Sequence, residues 1–130
     1  MVWKYLALTA AVVVAVASVA GYFYYLTTQQ HHLIEISKQS SRVQSYLNQH
    51  PSAKCDITKR HLTADGMVHA VDDNWKLKEL LGSAGDEPAD GKDHYCWVVQ
   101  WYDPTSMIEH IVNVFIDRDS LEIILVTEAW

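Results

Sequence analysis

The sequence predicts an α+β fold: an N-terminal transmembrane helix continuing into a long helix that packs on a small antiparallel sheet. Three observations predict it. Residues 5–26 form an uncharged run of 22 residues. Beyond that run Leu26, Leu33, Ile36, Val43 and Leu47 recur at helical spacing, with no Gly or Pro before Pro51. The last third of the chain is aromatic and β-branched, with alternation and short breaks. Two parts follow, a transmembrane anchor at residues 1–27 and an α+β domain at 28–130.

The apolar run comes first. At about 1.5 Å per residue it spans roughly 33 Å, enough to cross a hydrocarbon layer of about 30 Å. Trp3 on one side and Tyr22, Tyr24 and Tyr25 on the other are placed like the aromatic belts of membrane interfaces. A cleaved secretory signal is the competing reading, since Ser18-Val19-Ala20 before Gly21 fits a small-residue cleavage site. The expectation taken forward is a retained single-pass anchor. Its N-terminus is cytoplasmic and the domain beyond it periplasmic or extracellular.

Charge narrows the partners. The chain of 130 residues carries −6; Lys4 is the only charge before residue 27, so the remainder holds 9 basic and 16 acidic side chains, or −7. An acidic domain is a poor match for nucleic acid or anionic headgroups. The expected partners are the bilayer and other membrane-protein subunits. Two cysteines, Cys55 and Cys96, read as a disulfide in an extracytoplasmic domain. Such a bridge would close a loop of about 40 residues, worth roughly 3–4 kcal/mol in the chain-entropy account.

The later elements follow in order. The long helix ends near His50-Pro51, because proline disfavours helix in the residue before it. Residues 53–63 read as a strand, and Ala64-Asp65-Gly66 as a turn. Residues 71–82 read as a short helix capped by Asp72 or Asp73, burying Trp75, Leu80 and Leu81, and ended by Gly82. Residues 83–93 are a polar loop. Strands are expected at 94–103, 107–117 and 121–128, with turns at Pro104-Thr105-Ser106 and Arg118-Asp119-Ser120, forming a meander.

The segment Trp97-Val98-Val99, followed by a hairpin and Val114-Phe115-Ile116-Asp117-Arg118-Asp119-Ser120-Leu121-Glu122-Ile123-Ile124, resembles the end of PepSY-type domains. Those carry a W-x-V strand and then V-x-x-D-x-x-T-G-x-I. The likeness covers about a third of the chain and extends to cystatin-like membrane-anchored modules of similar layout. It departs where Ser120 replaces Thr and Leu121 stands where Gly would permit a positive φ, so a different turn is expected there. The resemblance implies a regulatory or inhibitory module rather than an enzyme, and brings no catalytic residues. The layout also resembles type IV pilins, although Lys4-Tyr5 stands where many of those carry an early Glu.

The residues themselves offer no catalytic constellation. Seven histidines are scattered without a ligand spacing, and the acidic loop 86–93 fails the calcium-loop pattern at Pro88 and Trp97. No metal, cofactor or catalytic residue is therefore expected. Trp97, Trp101, Tyr95 and Tyr102 alternate on one strand, so they cannot share one buried face. Trp97, Trp101 and Tyr102 are the candidate partner-binding residues, for a protein partner or, less directly, a sugar. The functional expectation is a non-catalytic accessory subunit of a larger membrane complex. A PepSY-like regulator of an envelope enzyme and a filament subunit are its alternatives.

Overall fold

The structure is a computed structural model and describes residues 28–130. The expected span at residues 5–26, with Trp3, Tyr22, Tyr24 and Tyr25, lies outside the described residues. Among the described residues no helix is long and apolar enough to cross a membrane. The single-pass membrane reading therefore finds no support there.

Residues Leu33–Trp130 form one compact unit. Its body is an antiparallel sheet of six strands, β1 (Lys54–Leu62), β2 (Met67–Val71), β3 (Leu77–Ser83), β4 (His94–Tyr102), β5 (Ile111–Asp117) and β6 (Ile123–Ala129). Their order in the sheet is β3-β2-β1-β4-β5-β6. This overturns the expected long helix on a small sheet: the sheet dominates and the helices are short.

The helical stripe is real, but the helix is broken. A first helix, α1, runs over residues 28–37 and a second, α2, over Ser41–Gln49. Serine chemistry makes the break. Ser37 Oγ donates to the Ile34 carbonyl at 2.7 Å, the carbonyl that Lys38 N–H also uses. The next two amides then reach back only three residues, Gln39 to Ile36 and Ser40 to Ser37. Ser40 is extended (φ −70°, ψ 130°) and starts α2. Gln44 Nε2 satisfies the Lys38 carbonyl that the break leaves open, at 3.0 Å. At the far end α2 stops at Gln49, and His50 N–H closes the last turn on the Tyr46 carbonyl.

The expected helix at 71–82 is a β-hairpin, β2–β3. A capping Asp72 or Asp73 would accept from amides two or three residues on. Asp72 accepts from Asn74 N–H and Lys76 N–H, two and four residues on, and so folds a turn. Trp75 completes that turn at φ +64°. Leu80 and Leu81 are about half exposed instead of buried, as is Leu77, and Trp75 is half-buried.

The meander β4–β5–β6 forms as expected, although β5 begins at Ile111 and residues 107–110 stay in the preceding loop. Leu121 adopts φ +58° where a glycine would be easier. The sequence expectation that the turn must avoid a positive φ is corrected: Leu121 packs against the core beneath the helices and is held there.

Both faces of the sheet carry a buried cluster. On one face Leu33 and Ile36 of α1 and Val43 and Tyr46 of α2 lie on Val99, Trp101, Val112, Val114 and Ile116. On the other Leu62, Cys96, Val98, Phe115 and Leu125 are buried together. The loop after β3 folds across this second face, where Ala84 N–H bonds the Gly66 carbonyl at 2.8 Å and Pro88 is buried.

Candidate functional site

Strand pairing decides which side chains meet. The register Ile57↔Val99↔Val114↔Val126 crosses four strands on the helix-covered face. One residue along, Asp56↔Gln100↔Asn113↔Thr127 crosses the same four strands on the opposite face. The first row is wholly apolar and the second wholly polar, as the two-residue period of a strand requires.

The polar row is the floor of a trough. A hollow of about 390 Å³ lies over it, walled by Val98, Phe115, Gly82 and Ala84. A second of about 490 Å³ adjoins it, sharing Asp56 and Gln100 and reaching Tyr102 and Met107. Gln100 Nε2 donates to Asn113 Oδ1 at 3.0 Å, which fixes both amides. Neither helix covers this half of the face.

Strand β3 is the second candidate surface. It forms one edge of the sheet, so one of its backbone sides has no strand neighbour. Six of its seven residues are exposed, and Leu80 is 53% exposed.

The sequence-predicted site residues fall apart in space. Trp101 is only 5% exposed and lies under the helices, where Nε1 donates to Ser37 Oγ at 3.1 Å. It is a core residue. Trp97 is half-buried on the same face, edge-on to Trp75 at 5.1 Å. Lys59 Nζ lies 5.2 Å from the Trp75 ring and Arg118 Cζ 5.2 Å from it on its own approach. Tyr102, of opposite parity, lines the trough. The three candidates are thus divided between the two faces of the sheet, as their alternation requires.

The disulfide expectation is also corrected. Both thiols are free. Cys55 stands opposite Trp101 and Cys96 opposite Arg60, five positions apart along the same strand pair. An odd offset puts them on opposite faces, and each packs in a different cluster. Burial pushes the Cys96 thiol up to about 12 and raises that of Cys55. Neither is an activated nucleophile.

Three histidines bind carboxylates, and two of them, His50 and His110, stand with ring centroids 6.1 Å apart beside Tyr46. His50 Nδ1 meets Asp103 Oδ2 at 3.0 Å, His110 Nε2 meets Glu128 Oε1 at 3.1 Å, and His94 lies between Asp90 and Asp117. Each joins elements distant in sequence. In the acidic loop, Asp90 accepts from Lys92 N–H and Asp93 from Ala64 N–H, so these carboxylates are turned to backbone. Among the described residues no group of three or more His, Cys, Asp and Glu forms a metal site.

Sequence reasoning missed the polar row and the edge strand. The signal for the row was present as polar residues at alternate positions within apolar strands, but only register shows that they face one another. Compared with family models, with curated proteins and with solved structures, the chain has no match in any of the three.

Proposed function

We propose that residues 33–130 act as a non-catalytic accessory module that holds a partner protein by accepting one of its strands along β3. One observation carries this reading: β3 is an uncovered edge strand of seven residues bearing three half-exposed leucines. Natural sheets blunt such edges with proline, charge, β-bulges or a covering element, because a bare edge pairs with other chains. Here Lys78 and Glu79 are the only charges on the strand, no proline interrupts it, and its pairing with β2 shifts register twice, so the stretch open to a partner strand is short. Strand addition supplies affinity through main-chain hydrogen bonds and specificity through pockets for alternate side chains. Leu77 and Leu80, opposite Val71 and His69, share one face and offer such contacts, while Leu81 stands at a register shift and turns to the trough.

The test is the native mass of the full chain taken gently from its source. Wild type is expected in a defined assembly. The double variant Leu80→Lys/Leu81→Lys, which places two more charges on the edge, is expected as a monomer with unchanged circular dichroism. A monomeric wild type, or an assembly indifferent to the variant, overturns the reading. Fixed stoichiometry identifies a permanent subunit, and substoichiometric binding a transient regulator.

A further inference from the structure

We infer that the trough over Asp56, Gln100, Asn113 and Thr127 is a binding site for a short, neutral glycan chain. Adjacent strands lie about 4.7–4.9 Å apart, so the row presents a hydrogen-bonding group at each such step over roughly 14 Å. The groups differ in kind. The Asp56 carboxylate only accepts, and no hydrogen bond occupies it among the described residues. The contact between Gln100 Nε2 and Asn113 Oδ1 leaves Gln100 Oε1 as an acceptor and Asn113 Nδ2 as a donor. The Thr127 hydroxyl does both.

A row that mixes acceptors and donors suits a ligand whose own groups do both, and sugar hydroxyls are such groups. Flanking the row, two residues on from Gln100 in β4, the half-exposed Tyr102 lines the second hollow with Asp56 and Met107. An aromatic face there meets the apolar C–H face that every pyranose ring presents. The two hollows, about 390 and 490 Å³, each fall in the size range of small-ligand sites.

Spacing and charge select against other ligands. An extended peptide repeats its same-side groups at about 6.8 Å, twice the strand rise, and does not match the row. An anionic glycan would meet Asp56 and a domain of net −7. Two cations stand on the same face of β1, Lys54 two residues from Asp56 and Arg60 four, so charge alone disfavours an anionic glycan without forbidding one.

The experiment titrates ¹⁵N-labelled protein with tetrasaccharides of glucose and of N-acetylglucosamine, in β-1,4 and α-1,4 linkage, and with an uncharged tetrapeptide. At least one sugar is expected to shift the side-chain amide signals of Gln100 and Asn113 saturably. Gln100→Ala, Asn113→Ala and Tyr102→Ala should each weaken that binding about tenfold, the loss expected for one strong contact. Leu80→Lys, at a residue that lines neither hollow, should leave it unchanged, which separates this site from the β3 edge. The inference is overturned if no sugar saturates these signals at about 10 mM. Binding that survives the alanine variants overturns it too, as does a tetrapeptide that binds as well as the sugars.

Discussion

His94 Nδ1 lies 2.6 Å from Asp117 Oδ2, joining the first residue of β4 to the last of β5. The other ring nitrogen meets the Asp90 carboxylate at 2.8 Å. A neutral imidazole has one N–H, so only the imidazolium donates to both. Burial opposes that charge, but the bonds to Asp90 and Asp117 outweigh it and raise the His94 pKa. Burial likewise opposes charge on Asp117, yet Ser120 N–H, His94 and Asp119 N–H hold its carboxyl at about 2. A raised histidine stabilises fully below its unfolded value near 6.5, and that contribution disappears as pH rises through the folded value. A depressed aspartate stabilises above about 3.9 and loses its contribution as pH falls toward 2. The urea midpoint is therefore expected to be highest between these limits and to fall on both sides. His94→Gln should flatten the alkaline limb and leave most of the acid limb. An unchanged alkaline limb in the variant would show that the clamp contributes nothing.

Trp101 fills the core beneath the break between α1 and α2 and donates to Ser37. Trp101→Ala should cost about 3–5 kcal/mol, the range for emptying a large aromatic site. Trp101→Phe keeps most of the volume but leaves Ser37 Oγ without its donor, and should cost about 1–2 kcal/mol. Chemical denaturation measures both. Equal losses would place the whole effect in the hydrogen bond and none in the volume.

Gly66 holds φ +82° in the turn between β1 and β2, with the Asp86 carbonyl against the place a Cβ would take. Asp86 belongs to the loop that covers Cys96 and Phe115. Gly66→Ala should therefore displace that loop and destabilise by about 1–3 kcal/mol. Faster amide exchange confined to residues 84–93 would locate the damage there. Exchange quickened equally throughout would mean that the loop is not a separate cover.

Both cysteines should titrate as free thiols in denaturant without reductant, and reductant should not alter the folding midpoint. In the native state Cys96 should be the slower to react, being fully buried with its thiol pushed up to about 12. A reductant-dependent midpoint would contradict the opposite-face placement of Cys55 and Cys96.

Much of the sheet was legible in the sequence because alternation is a local signal. Val112, Val114 and Ile116 fall on one parity and face the helices, and the turns at Pro104 and Asp119 stand where their residue types place them. The errors share a cause. Asp72 accepts from amides two and four residues on, and the same chemistry caps a helix or closes a hairpin turn. The choice lay with Met67–Val71, which pairs with β1 and so draws Leu77–Ser83 in beside it. Ser37, Ser40 and Ser41 were visible, but that one of them would break the helix follows from Trp101 holding Ser37 in place. The cysteine pair and the polar row were both matters of register, which links residues some 40 positions apart and is written in no single stretch.

The β1–β4 pair is the longest in the sheet, with nine registered positions, and the only one whose strands are not neighbours in sequence. Every other pair closes through a short connection. On a ribosome adding about 5–20 residues each second, β1 is complete roughly 2–8 s before the last residue of β4 has been made. During that interval the β2–β3 hairpin can form beside β1, whose other edge stays open. The second edge closes only when β4 arrives. Synthesis speed over residues 63–102 therefore sets how long the nascent chain presents an unpaired strand to its surroundings, and silent changes that slow translation there would lengthen that exposure without altering one contact of the finished protein.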